Sequence, residues 1–232
     1  MSDIKFFRPS TPKEAVELLA KPNHLAVAGG TDLIVKLRNG MFPAAEALVD
    51  ISALPYKSIR KENDRVVIGS GCTMAQIAAD PIIGELFPVL VKASSSVGAA
   101  QIRNAATIGG NIANASPAGD TIPALFSLET QVLITGSNGQ RSVAIEDFFT
   151  GPGRSVLKPG ELIEAFSLPL HKTRGEFLKL GERRAHAISK INLAVSIFND
   201  GRQRYRIAIG SVAPTVLRCG TAEELLESNS LT

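Results

Sequence analysis

An α+β fold is what this sequence predicts, on three observations. Strand-like and helix-like segments interleave without the regular βα repeat of a doubly wound sheet. The 232 residues are 44% hydrophobic and 20% charged, a globular composition with enough chain to bury a substantial core. The longest uncharged stretch, Asn104 to Gly119, is rich in Gly, Ala, Asn and Ser, which makes it no membrane span.

The elements follow in order. Ile4-Lys5-Phe6 reads as a short strand. Ser10-Thr11-Pro12-Lys13-Glu14 starts a helix, with a hydroxyl cap, an early proline and an acid in the first turn, and Ala15, Val16, Leu18 and Leu19 give it an apolar face. Leu25 to Ala28 is a strand running into Gly29-Gly30-Thr31-Asp32; Leu33 to Arg38 is a turn of helix stopped by Asn39-Gly40, and Ala47 to Ile51 is a strand. Further on, a strand at Val66–Gly69 precedes helices at Thr73–Ala79 and Glu85–Ser95, and another helix runs from Asp120 to Leu128. Strands are expected at 131–135, 140–144, 162–168, 177–180, 193–198 and 205–212, with a last helix starting at Thr221. These segments group into units of 1–56, 57–170 and 171–232.

Charge and cysteine usage narrow the function. Lys+Arg 25 against Asp+Glu 22 leaves +3, too little to point to nucleic acid or a membrane surface. The N-terminus lacks a secretory pattern, so a cytoplasmic location is expected. Cys72 and Cys219 are read as unpaired thiols, although a disulfide between them is conceivable. Neither they nor the scattered His24, His171 and His186 show metal-ligand spacing, so no metal site is expected. A redox centre in this chain would be an organic cofactor.

Two glycine segments carry the chemistry. At Ala28-Gly29-Gly30-Thr31-Asp32 a strand stops at residues without side chains, where backbone N–H groups can approach an anion. The alternative is a tight turn with Asp32 as a helix cap. The run from Gln101 to Asp120 repeats the pattern at Thr107-Ile108-Gly109-Gly110-Asn111, with Ser116 and a single closing acid, Asp120. Small, amide-rich and almost uncharged, it suits backbone wrapped around a large polar ligand; the alternative is a packed Ala/Gly helix–turn region. Asp120 is placed to accept from ligand hydroxyls or to cap the next helix. A weaker nucleotide signal, Gly69-Ser70-Gly71, puts Met74 where a dinucleotide fingerprint needs its third glycine.

With Ala28 to Leu33, Gln101-Ile102-Arg103-Asn104, Thr107 to Ile112 with Ser116-Pro117 and Asp120, and Ala208 to Pro214 in this order, the sequence resembles the flavin-carrying medium subunit of the molybdenum hydroxylases, the group that includes xanthine dehydrogenase and carbon monoxide dehydrogenase. The resemblance implies an FAD-binding fold of the vanillyl-alcohol-oxidase type in two subdomains, followed by a C-terminal domain that is shortened here. It implies that Ala26, Val27, Ala28, Gly29, Gly30, Thr31, Asp32 and Leu33, together with Thr107, Gly109, Gly110 and Asn111, hold the FAD diphosphate. Asp120 would meet hydroxyls of the chain linking ring to phosphate, with Val97, Ile163 and Lys179 also against FAD.

The implied partners are a molybdenum-cofactor-binding large subunit and a [2Fe–2S] small subunit, with NAD or another molecule as electron acceptor. Arg183-Arg184 are followed here by Ala185-His186, where xanthine-dehydrogenase-like members carry acids, and this leaves the acceptor open. No catalytic residue is expected in the chain itself. The competing readings are a self-sufficient flavin oxidase or reductase, and a nucleotide-binding module without catalysis.

Overall fold

The computed structural model describes residues 4–183 and 187–228. It opens with β1 (Lys5–Phe7), α1 (Pro12–Leu19), β2 (His24–Val27), α2 (Leu33–Arg38) and β3 (Ala47–Asp50). The strands form a three-stranded parallel sheet in the order β1-β3-β2, so each connection must cross over, and the helices supply the crossovers. Thr11 caps α1, its hydroxyl accepting from the Glu14 amide at 3.2 Å, while the Glu14 carboxylate accepts from the Ser10 amide at 2.8 Å. Ala15, Val16 and Leu19 then pack on Val49, Leu54 and Leu162.

Next come β4 (Ile59–Glu62), β5 (Arg65–Gly69) and a helical run of α3 (Met74–Ala79), α4 (Pro81–Leu86), α5 (Pro88–Ser95), α6 (Ala100–Ala105), α7 (Ile108–Asn114) and α8 (Thr121–Ser127). After these follow β6 (Gln131–Gly136), β7 (Gly139–Ala144), α9 (Ile145–Phe148), β8 (Phe149–Gly151), β9 (Arg154–Ser155) and β10 (Leu162–Pro169). A five-stranded antiparallel sheet in the order β4-β5-β10-β6-β7 carries this region. Its Ile68, Val132 and Phe166 bury against Met74, Ile77, Leu90, Ile108 and Ile112 of the helices. Each such side chain stabilises by about 1.5–3 kcal/mol.

The sequence differs from the fold in two places here. The helix expected over 85–95 is two helices, because Pro88 cannot continue a helix and drives Phe87 to φ −134°, ψ 62°. The small-residue run from 94 to 119 is not irregular backbone but largely helical, in α6 and α7, as the helix–turn alternative has it; α7 buries Ile108 and Ile112 and keeps Asn111 and Asn114 on its other side.

The last sheet is antiparallel, in the order β11 (Thr173–Gly181), β12 (Ser189–Asn199), β13 (Gln203–Gly210) and β14 (Leu217–Arg218). Its inner face, with Phe177, Ala194, Phe198 and Ala208, packs on α5 and α8. Across its outer face Leu178, Leu193, Ile209 and Leu217 stand in one register row. Short β14 leaves part of the β13 edge open, and α10 (Gly220–Ser228) closes it with carboxylates. Glu223 accepts from the Ile207 amide at 2.7 Å and Glu227 from the Tyr205 amide at 3.0 Å.

Arg206 joins this edge to the second region through Glu129, at 2.5 Å. Burial pushes the Glu129 carboxyl up, but Arg206 and Arg204 outweigh it and hold the group below its usual range. Cys72 and Cys219 are both free thiols. Among the described residues no helix is long and apolar enough to cross a membrane, and no cluster of His, Cys, Asp or Glu could hold a metal ion.

Candidate functional site

The chain leaves the parallel sheet at Ala28, just after Val27 has accepted from the Ile51 amide at 2.9 Å. From Ala28 to Asp32 no backbone amide finds a hydrogen-bond partner among the described residues. These donors border a cleft, and Gly30 makes the turn at φ +67°, a left-handed conformation that disfavours side chains. Successive free amides around such a turn form a concave anion-binding surface. The side chain of Asp32 makes no capping hydrogen bond to α2, so the tight-turn alternative lacks its cap.

The facing wall is α6 and α7, and its donors are used differently. Ile108 donates to the Cys72 carbonyl (2.9 Å), Gly109 to the Ser70 carbonyl (2.8 Å) and Gly110 to the Thr107 hydroxyl (3.1 Å). The second segment thus spends its amides inside the protein and contributes space and side chains to the cleft.

The glycines divide the work in the same way. A Cβ on Gly29 would lie 2.0 Å from the Ala105 carbonyl oxygen, and one on Gly109 would lie 2.7 Å from Ser70 Cβ. Both glycines let backbones touch, and the Gly29–Ala105 contact brings the two segments together. A Cβ on Gly110 would meet only the Thr107 hydroxyl, at 3.0 Å, and otherwise project into open space.

Two adjoining cavities result, of about 270 and 390 Å³, and they share Ala26, Ala28, Gly29, Thr107, Gly110 and Ala113. The smaller adds Val27, Gly30, Thr31, Asp32, Leu33, Val97 and Asn111, with Lys36 and Asn114. The larger is more apolar and adds Gly109 and Ile163, with Ile51, Leu54 and Tyr56. Tyr56 has its phenol pushed up to about 12, first by burial and then by the charge of Glu164, so it is a neutral hydroxyl at neutral pH. Arg103 donates to the carbonyls of Val97 (3.2 Å) and Gly98 (3.0 Å) and so fixes Val97 at the rim.

Asp120 lies outside both cavity linings, in a buried polar cluster. It accepts from Lys179 Nζ at 2.5 Å, from Ser189 Oγ at 2.7 Å and from Asn192 Nδ2 at 3.3 Å, while Lys179 also donates to the Ser96 carbonyl at 3.2 Å. The structure thus joins Asp120 to Lys179. Asn111 links α7 to α8, its Oδ1 accepting from the Thr121 hydroxyl at 2.7 Å. Ser116 is not brought to the cleft: it borders a separate space of about 10 Å³ with Pro117 and Val216. Arg184, Ala185 and His186 lie outside the described residues.

The Gly69-Ser70-Gly71 dinucleotide signal does not survive. A Cβ on Gly69 or Gly71 would approach the Tyr56 carbonyl oxygen to 2.2 or 3.0 Å, β5 lies in an antiparallel sheet, and Met74 is fully buried. These glycines serve packing. Sequence reasoning in turn missed Lys36, Phe42, Ile51, Leu54, Tyr56, Asn114 and Leu157, which line the cavities from elements far apart in the chain.

A cleft between a small parallel sheet and a larger antiparallel one, with unpaired amides on one wall and a bare glycine on the other, defines a binder of an anionic, dinucleotide-like cofactor. The chain belongs to the family described as the FAD binding domain in molybdopterin dehydrogenase, whose pattern matches residues 2–171. It is 34% identical over 244 residues to the nicotinate dehydrogenase FAD-subunit of Eubacterium barkeri, covering 100% of this chain and 82% of that one. It is 32% identical over 224 residues to the carbon monoxide dehydrogenase medium chain of Hydrogenophaga pseudoflava, covering 93% and 77%. Among solved structures, the reconstituted CO dehydrogenase from Oligotropha carboxidovorans superposes with a TM-score of 0.93 at 28% identity, over 100% of this chain and 82% of that one. The chain is therefore a flavoprotein component of a molybdenum-hydroxylase-type oxidoreductase, and FAD is its cofactor.

Proposed function

We propose that this chain is the electron-transfer subunit of such a complex, taking electrons from the [2Fe–2S] clusters of a small partner and passing them to NAD or another acceptor. A molybdenum-cofactor-binding large subunit oxidises the substrate. The observation that carries the reading is the cleft itself: free amides from Ala28 to Asp32 suit a diphosphate, and Gly110 leaves room for it. The more apolar cavity around Ile51, Leu54 and Ile163 suits an aromatic ring. Val97 and Thr107 bound the cleft. Asp120 lies outside both cavities, its carboxylate accepting from Lys179, Ser189 and Asn192, and its contact with hydroxyls of the linking chain rests on the family resemblance alone.

When bound, FAD supplies a two-electron centre able to connect one-electron clusters with a hydride acceptor. The chain's own task is to bind and orient it. The three larger of the four sheets support units of 1–56, 57–170 and 171–232, the two-stranded β8-β9 pair falling within the second.

Co-expression with candidate iron–sulfur and molybdenum subunits tests the reading. The expected result is a yellow chain that copurifies with both and whose flavin is bleached by substrate of the large subunit. A yellow chain that binds neither and oxidises a small molecule alone would establish the self-sufficient oxidase instead.

A further inference from the structure

We infer that Lys36 and Asn114 form an anion clamp on the cofactor diphosphate, an assignment that rests on the FAD reading above. Lys36, on α2, borders the smaller cavity together with the free amides of residues 28–32. Its ammonium donates to Asn114 Oδ1 on α7, a residue 78 positions away, so one contact spans the cavity from wall to wall.

Among the described residues Lys36 makes no ion pair, and it is the single basic residue bordering that cavity. The acid on the same wall, Asp32, is solvent-exposed and unpaired with it. An ammonium has three donors, and a carboxamide oxygen satisfies one without neutralising the charge.

A half-buried cation held by a neutral partner, beside a row of undonated amides, has the chemistry of an anion site. Neutral amides can orient a diphosphate but leave its charge uncompensated, whereas a lysine acts on phosphate as a point charge. Lys36 therefore supplies the charge and Asn114 is the positioning residue that keeps the ammonium over the cavity.

The test is titration of the apo 232-residue chain with FAD and with ADP over a range of salt concentrations, alongside thermal unfolding of each apo variant. Lys36→Met should weaken both ligands about ten- to a hundredfold, make the salt dependence of the affinity shallower and leave apo unfolding unchanged. Lys36→Gln serves in its place if the methionine variant does not fold, and Lys36→Arg should retain most of the affinity. Asn114→Leu should weaken FAD severalfold with the salt dependence intact, because the charge is still present. Wild-type affinity and salt dependence in Lys36→Met, or a loss of affinity that tracks apo unfolding with unchanged salt dependence, would overturn the clamp while leaving the FAD site standing. A wild-type chain that fails to bind FAD would remove both.

Discussion

Substituting Gly29 and Gly110 separately distinguishes glycine needed for packing from glycine needed for a ligand. At Gly29 an added methyl carbon sits 2.0 Å from the Ala105 carbonyl oxygen, a backbone atom that no side-chain rotation can move aside. Relief requires a shift of the first loop or of α6. Overpacking of this kind costs about 1–3 kcal/mol, and for a domain of this size each kcal/mol lowers Tm by roughly 2–4 °C.

At Gly110 the same methyl meets one hydroxyl at 3.0 Å and otherwise enters the cleft, while alanine in a helix gains about 1 kcal/mol over glycine. Gly29→Ala should thus lower the apo Tm by roughly 2–12 °C. Gly110→Ala should leave Tm nearly unchanged yet weaken FAD about tenfold or more, and Gly110→Val should abolish binding. Thermal unfolding of the apo protein and flavin fluorescence titration read the two effects. Equal loss of stability in both variants, or a Gly110→Val protein that still purifies yellow, would refute this division of roles.

Three more outcomes are expected. Asp120→Ala strands the Lys179 ammonium, whose side chain is only 16% exposed, and should cost about 3–5 kcal/mol as well as FAD retention; denaturant unfolding of the apo variant measures it, with Asp120→Ala/Lys179→Met as the partial rescue. The Glu129 and Glu223 carboxyls are held below their ordinary value of 4.5, Glu223 because Arg218 and the Ile207 amide outweigh the upward push of burial. Their stabilisation is therefore present above that value and lost as pH falls through the lowered folded values, so Tm should drop steeply in acid and less steeply in Glu129→Gln. Burial pushes the Cys72 thiol up to about 11, so Cys72 should resist thiol reagents at about pH 8 until the chain unfolds; labelling of Cys72 in the native state, read by mass spectrometry, would contradict its placement.

What the sequence disclosed and what it hid divide along physical lines. Local signals were legible: the Thr11 cap with Pro12, the strand expected at 131–135 and found at Gln131–Gly136, and the glycine pairs all act through neighbours in the chain. β4 was not legible, because Ile59–Glu62 is mostly polar and becomes a strand only through its pairing with β5. The task of each glycine was hidden too. Gly29 is defined by Ala105 and Gly109 by Ser70, contacts that no local pattern announces. The resemblance supplied Lys179, which meets Asp120 across 59 positions; nothing local to either residue encodes that pair.

Amide hydrogen exchange across the two segments, with and without FAD, tests the cleft most directly. In the apo chain the amides from Ala28 to Asp32 should exchange rapidly and become protected when FAD binds, whereas those of Ile108 and Gly109, already bonded to Cys72 and Ser70, should be protected throughout. FAD binding that leaves residues 28–32 exchanging as fast as before would place the cofactor elsewhere.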